Sequence, residues 1–313
     1  AGLHREFSSG SKVVVGVEEG PANVTLTIFT PAFNRAHLLP RLFESIKSQV
    51  RPSDPVEWLV VDDGSTDDTA EILNQMKDER PDLVRFVRTE NGGKHRAVNQ
   101  AVQVARGDWI MIADSDDRLA NGAIADVERT VGTIGSSSAI GVLRALTLFP
   151  GSSSGHRFRI PRNPCRHSEW VSSQRPYDTA EVILLEVLKL YPFPEVPEER
   201  FMAEGWLWYT IEKTHLTLFV NNSWIECFYQ DDGLSAASRR NRAASPCSAM
   251  LVYQAMIESS LSFPRRLRSS VNWWRYYFHA AFLHKTVPQE FSASNAYALL
   301  GWLMYLRDRL SKR

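Results

Sequence analysis

Short apolar runs and longer amphipathic stretches take turns along the first third of the chain. Val24–Phe29 (VTLTIF), Val56–Val61 (VEWLVV), Val84–Arg88 (VRFVR) and Trp109–Ala113 (WIMIA) are the short runs, the pattern of buried strands. Between them, Arg35–Gln49 repeats its apolar residues with the helical period at Leu38, Leu39, Leu42, Phe43 and Ile46. Thr66 or Asp67 can cap a second helix over Thr69–Met76. A third helix leaves the turn at Gly92-Gly93 and ends before Gly107-Asp108. Strands alternating with helices predict an α/β fold over residues 24–118, with a mostly parallel sheet covered on both faces.

The pattern is less regular afterwards. It predicts a helix over Ala123–Val131, a turn at Gly135–Ser138, a strand over Ile140–Phe149 and a flexible loop at Gly151–Gly155. A polar, irregular stretch to Arg175 holds His156, Arg157, Arg159, Arg162, Arg166 and His167, as a substrate-facing loop would. Helices follow at Glu181–Leu190, ended by Pro192 and Pro194, and at Arg200–Lys213. A strand at Leu216–Val220, the segment Trp224–Ser235 and a helical tail from Ser248 complete the chain. The aromatic cluster Trp273, Trp274, Tyr276, Tyr277 and Phe278, near Arg275, His279 and Lys285, suits core packing or an interfacial helix beside a membrane-held acceptor. Residues 1–23 form an N-terminal extension, with a short strand at Lys12–Val17.

Composition narrows the class. Lys plus Arg equals Asp plus Glu at 36 each, which gives no reason to expect a nucleic-acid partner. Three separated cysteines, Cys165, Cys227 and Cys247, form neither a disulfide framework nor a zinc-site spacing. No apolar run approaches the roughly 18 residues of a membrane span, and the N-terminus lacks a signal-peptide core. These features lead us to expect a cytoplasmic protein.

The chemistry concentrates where the fourth strand ends. Asp114, Asp116 and Asp117 emerge within four residues, and like charges so close need a cation or ligand to offset them. An EF-hand would require Gly at the sixth position and Glu at the twelfth, where this chain has Leu119 and Ala125. Hard oxygen donors of this kind suit Mg²⁺ or Mn²⁺ bridging phosphates. Asp62-Asp63-Gly64-Ser65 alone reads as a turn or helix cap. His95, His156, His167 and His215 show no metal-ligand spacing.

Taken together, Thr30-Pro31-Ala32-Phe33-Asn34-Arg35, the run VVDDGSTDDT from Val60, the Asn91-Gly92-Gly93-Lys94…Asn99 stretch and Ala113-Asp114-Ser115-Asp116-Asp117 resemble a family 2 glycosyltransferase with the GT-A fold. The resemblance implies a Rossmann-like, mostly parallel mixed sheet with helices on both faces and a C-terminal helical extension. It places a donor half at 24–120, an acceptor and catalytic half at 121–236, and the helical region at 237–313. Pro31, Phe33 and Asp63 would contact the nucleotide, Asp63 accepting from the base, with Arg35, Asn91, Lys94 and Ser115 also on the donor side. Asp114 would face the ribose or sugar, and Asp116 would hold Mn²⁺ or Mg²⁺ on the diphosphate, Asp117 sharing either task. Many relatives carry Ala-Arg-Asn where this chain has Ala97-Val98-Asn99, so Lys94 or Arg96 would supply the missing cation.

The resemblance extends through Pro192–Glu195 to Arg200–Trp206. Relatives often have Glu-Asp there; here Gly205 follows Glu204, which makes Glu204 the candidate general base. By itself Glu204 reads as a helix N-terminal acid favoured by the macrodipole. Asp178 is the second candidate, and Asp178 and Trp206 are candidate acceptor contacts. Asp232 and Ser235 would close over the diphosphate, although Tyr229–Ser235 also suits a plain turn. The implied activity is inverting transfer from a nucleotide-diphosphate sugar, a UDP-sugar, to a glycan or lipid-linked glycan at the inner face of a membrane, as in bacterial surface-glycan assembly. Two alternatives remain. A nucleotidyltransferase would need a Gly-rich signature with an activating Lys near the first strand, which is absent. A non-catalytic nucleotide- or glycan-binding protein on a degenerate scaffold would bind donor without turnover.

Overall fold

The computed structural model describes residues 25–135, 138–150, 160–173, 177–228, 230, 237–287 and 294–310. β1 (Leu26–Ala32) runs through the centre of the first half and pairs in parallel with β2 (Val56–Asp62) on one side and β4 (Trp109–Ile112) on the other. β3 (Val84–Arg88) extends the parallel set beyond β2. The connecting helices are α1 (Leu39–Lys47), α2 (Thr69–Glu79) and α3 (Lys94–Val104). Side chains alternate across the strands. Leu26, Ile28, Trp58 and Val60 bury against Leu39, Leu42, Phe43 and Leu73, whereas Phe29, Leu59 and Val61 bury against Ala97, Val98 and Ala101. Both faces are therefore covered, as the unbroken apolar runs require.

Beyond the acidic tip the chain forms β5 (Arg118–Leu119), α4 (Ala123–Gly132), β6 (Ile140–Leu148), α5 (His167–Ser173), β7 (Thr179–Leu184), α6 (Leu185–Leu190), α7 (Gly205–Ile211) and β8 (Leu216–Glu226). The sheet is eight-stranded, ordered β3-β2-β1-β4-β7-β6-β8-β5, with β7 antiparallel to both β4 and β6. Among the described residues four α-helices follow: α8 (Ser238–Ala244), α9 (Pro246–Glu258), α10 (Phe263–Phe282) and α11 (Ala298–Leu310), the last preceded by a 3-10 turn at Asn295–Tyr297.

Several elements differ from the sequence expectation, each for a physical reason. Glu181–Leu190 is not one helix. Thr179–Leu184 is a strand in the middle of the sheet, and the helix starts only at Leu185. The strand's apolar residues abut those of α6, and the combined run mimics a helical period. The stretch before Arg175 contains α5, whose His167, Trp170 and Val171 are buried. The helix expected from Arg200 begins at Gly205. Strand β8 continues past Val220 to Glu226 through register shifts that let the polar Asn221-Asn222-Ser223 pass. In the aromatic cluster, Trp273 and Tyr276 pack with Cys247, Met250 and Ala280, so at these positions the cluster is core. The short strand expected at Lys12–Val17 and the Gly151–Gly155 loop lie outside the described residues, as do His156, Arg157 and Arg159.

Candidate active site

Three parallel strands deliver three loops to one edge of the sheet. After β1, Asn34 adopts a left-handed φ of 55° and its backbone N–H donates to Ser65 Oγ at 2.9 Å. Asn34 Oδ1 in turn accepts from Thr66 N at 2.8 Å, and Arg35 N donates to Thr69 Oγ1 at 2.9 Å. The first two loops are thereby tied to each other. Pro31 is near the end of β1, paired with Val61, and Phe33 is on the loop that follows, 42% exposed. The N-cap position of α2 is Asp68, not Thr66 or Asp67, and makes no side-chain cap bond; Asp67 instead accepts N–H bonds from Thr69 and Ala36 and ties the two loops.

Asp63 anchors the glycine turn. Its Oδ1 and Oδ2 accept from Gly92 N and Gly93 N, each at 2.7 Å. Burial pushes the Asp63 carboxyl above its ordinary range, and these two N–H groups pull against that shift. Gly93 has φ 93°, and a Cβ there would lie 1.8 Å from Arg200 O, so only glycine lets the turn approach the segment leading to Glu204. Asn91 sits at the head of the turn, where its backbone closes on Gly64.

Lys94, at the start of α3, joins the two halves of the site. Its Nζ lies 2.5 Å from Asp114 Oδ1 and 2.6 Å from Glu204 Oε1. Burial opposes its charge, but the two carboxylates outweigh it and hold the ammonium above its ordinary value. Of the two candidate cations it is Lys94 that faces the site. Arg96 instead donates to the carbonyls of Gly92, Glu199 and Val196, and fastens the approach to Glu204. Asn99 does the same for Phe193, through bonds of 2.9 and 2.8 Å in both directions.

Asp114, Asp116 and Asp117 bring one ligand atom each within 4.8 Å of one another, and all three are half-buried. Ser115 between them is buried. Burial, then the charge of Asp114, raises the Asp116 carboxyl, and burial with both neighbours pushes Asp117 up to about 7. The Cys227 thiol, hydrogen-bonded to Asp117, is pushed well above its ordinary range by burial and then by Asp117 and Asp178. Asp178 is exposed at the start of β7, and its carbonyl accepts from Thr147 Oγ1 at 3.0 Å. Arg41 on α1 donates to Asp116 O and lies 4.1 Å over the Phe228 ring. An all-carboxylate set of this spacing fits a hard divalent cation.

Behind Glu204 lies a buried group that sequence reading missed. Arg144 on β6 sits 3.5 Å from Glu181 Oε1, 3.0 Å from His167 Nδ1 and 4.4 Å over the Trp208 ring. Burial pushes Glu181 up to about 7, with Arg144 pulling it back and Glu204 adding to the rise. These residues had no motif, and Glu181 was hidden by the helical reading of its strand. Trp206 packs on Phe193 at 5.5 Å. Asp232 and Ser235 lie outside the described residues.

Residues 27–164 match the family described as Glycosyl transferase family 2. The chain is 35% identical over 100 residues to a poly(ribitol-phosphate) beta-glucosyltransferase of Bacillus spizizenii, which covers 32% of this chain and 16% of that protein. It thus spans less than a fifth of the length of this curated relative. The crystal structure of Staphylococcus aureus TarS 1–349 superposes with a TM-score of 0.59 at 16% identity, covering 91% of this chain and 80% of that one. The mannosyltransferase PcManGT of Pyrobaculum calidifontis, in complex with GDP-Man and Mn²⁺, superposes with a TM-score of 0.56 at 17% identity over 94% and 90% of the two chains. Among the described residues no helix is long and apolar enough to cross a membrane. The strand-end loops, the acidic tip and the comparisons agree: residues 27–164 are similar to the glycosyl transferase family 2, and the fold is that of the TarS and PcManGT structures.

Proposed function

We propose that this chain is a metal-dependent, inverting glycosyltransferase. It moves a sugar from a nucleotide-diphosphate sugar, a UDP-sugar, to a hydroxyl of a glycan or lipid-linked glycan, in polysaccharide assembly at the cell envelope. The observation that carries this reading is the Lys94 bridge, which sets Glu204 one ammonium away from Asp114 at the acidic tip. S. aureus TarS has a structure in complex with UDP-GlcNAc, and the P. calidifontis enzyme one with GDP-Man and Mn²⁺, which supports a nucleotide-sugar donor.

On this reading Pro31, Phe33, Arg35, Asp63, Asn91, Lys94, Asp114 and Ser115 form the donor side, and Asp116 and Asp117 hold Mn²⁺ or Mg²⁺. A cation bound there supplies positive charge against the departing diphosphate. Lys94 adds a second, covalently tethered charge. An arriving diphosphate competes for the Lys94 ammonium and releases Glu204 toward the acceptor. Glu204 then takes the acceptor hydroxyl proton as the acceptor oxygen bonds the anomeric carbon and the diphosphate oxygen leaves with the bonding pair. Asp178 and Trp206 border the acceptor.

The first test is thermal stabilisation by UDP, GDP, CDP and dTDP, each with Mn²⁺ or EDTA, on wild type and Asp116→Ala. A shift with one nucleotide that needs both Mn²⁺ and Asp116 is expected. No metal-dependent shift with any nucleotide would overturn the donor site. Glu204→Gln is expected to lower transfer by about 10²–10⁴-fold and leave the nucleotide shift intact; undiminished transfer removes Glu204 from the mechanism.

A further inference from the structure

Helix α11 wears its apolar residues on the outside. Leu299, Trp302, Leu303 and Leu310 are between 41 and 71% exposed, while Gly301 and Asp308 are its buried positions. At about 100° per residue these four side chains, with the half-buried Leu306, share one stripe, and the exposed Leu300 lies about 100° round from Leu299, on the side of Arg307. Gly301, Tyr305 and Asp308 lie on the opposite side, against α10.

This orientation is enforced from within. A Cβ on Gly301 would lie 2.4 Å from Trp274 Cβ, so no other residue lets the helices approach as closely. Asp308 accepts from Arg275 Nε at 2.5 Å and Nη2 at 2.6 Å, and lies 3.1 Å from His279 Nε2. The fold thus buries an acid of α11 and leaves its leucines outside, opposite to a helix that serves only its own core. At the end of α10 Phe282 and Leu283 are exposed as well, and Phe282 lies beside Arg309 and Tyr305 of α11.

Charge selects the occupant. Exposed Arg307 and Arg309 flank the stripe on either side, and the Arg309 guanidinium sits 3.9 Å over the Phe282 ring. From Leu261 to Arg313 the sequence holds nine Lys and Arg residues against two acids, Glu290 and Asp308, in a chain whose totals balance. Asp308 is already engaged by Arg275. A second copy would bring the same cationic surplus to the contact and repel. An anionic bilayer meets both demands: leucine and tryptophan side chains enter the acyl boundary, and the arginines snorkel to lipid phosphates.

We propose that the outward face of α11, together with Phe282 and Leu283, docks the protein on an anionic lipid bilayer. The proposal does not rest on the transferase reading. The test is co-sedimentation of the full chain with vesicles of phosphatidylglycerol and phosphatidylcholine in equal parts. Wild type is expected to sediment, with binding about tenfold or more weaker to pure phosphatidylcholine and in high salt. Leu299→Glu combined with Leu303→Glu should abolish sedimentation while the melting temperature stays unchanged, since both side chains are exposed. Arg307→Gln with Arg309→Gln should weaken it by about tenfold. Failure of wild type to sediment, or sedimentation indifferent to the leucine pair, overturns the proposal. So does a wild-type dimer that the leucine pair converts to monomer without any vesicle binding, which would assign the face to a second copy.

Discussion

Asp63 holds two backbone N–H groups at once, and its role can be separated from nucleotide contact. Asp63→Asn replaces one acceptor oxygen with an NH₂ that faces the N–H of Gly92 or Gly93. An unsatisfied buried donor costs about 1–3 kcal/mol, and that loss is expected in denaturant melts of ligand-free protein. If Asp63 served the nucleotide alone, ligand-free stability would not move. A second residue, His95, gives a pH signature. It is buried, and neither ring nitrogen has a hydrogen-bond partner among the described residues. Burial, then the charge of Arg96, lowers its pKa to about 4. An unfolded His binds its proton near 6.5, so the folded state loses stability as pH falls from 6.5 through 4, by up to about 3 kcal/mol. His95→Met is expected to flatten that loss and to be neutral or stabilising at pH 7. Glu181 acts with the opposite sign, because a carboxyl raised to about 7 loses stability as pH rises from 4.5 to 7. The comparison must therefore be wild type against variant at each pH, and an unchanged difference between pH 7 and pH 4.5 would clear His95 of the effect.

Elements with a single task were legible in the sequence. β1, β2, β3 and β4 are short apolar runs between amphipathic helices, and their ends carry the motifs, so strand and loop announce each other. β7 was not legible because its apolar residues run straight into α6. The late start of α7 also had a cause that no local pattern reveals. Glu199 is fully buried and accepts from Cys247 N at 3.1 Å and Ser248 N at 2.7 Å at the N-terminus of α9, with Lys285 Nζ 3.2 Å away. An acid at a helix N-terminus is favourable, and this one pins the segment that leads to Glu204. Glu199→Ala leaves two N–H groups and a cation without their acceptor, a loss of about 3–5 kcal/mol. Glu199→Gln keeps one acceptor oxygen and should lose less. Because residues 200–204 hang from this anchor, the Gln variant is expected to lose more kcat than its melting temperature would suggest. Parallel stability and steady-state measurements check this, and kcat that tracks the folded fraction alone would refute it.

At the scale of the whole molecule, the site joins residues well separated in sequence, Lys94 and Asp114 with Glu204. The acidic tip lies inside the stretch that matches the glycosyl transferase family 2, whereas Glu204 lies beyond the end of that match at residue 164. The sequence displays both residue types but not the Lys94 bridge between them, because a contact across three elements leaves no local period. Lys94 pairs with Asp114, while Asp116 and Asp117 remain crowded: burial, then the charge of Asp114, holds both carboxyls above their ordinary range, and Asp116 adds to the rise at Asp117. The ligand-free fold thus tolerates a destabilising arrangement, which is expected where charge is kept for a cation. Asp117→Asn keeps the shape and an oxygen that accepts from Cys227, but removes one of the three charges. In EDTA this variant is expected to melt a few degrees above wild type, as about 1 kcal/mol would produce in a protein of this size. With Mn²⁺ the order should reverse, because wild type gains the cation and the variant does not. A variant that melts below wild type in EDTA would mean that the acidic tip is stabilised by its own hydrogen bonds, and the case for a poised cation site would fall with it.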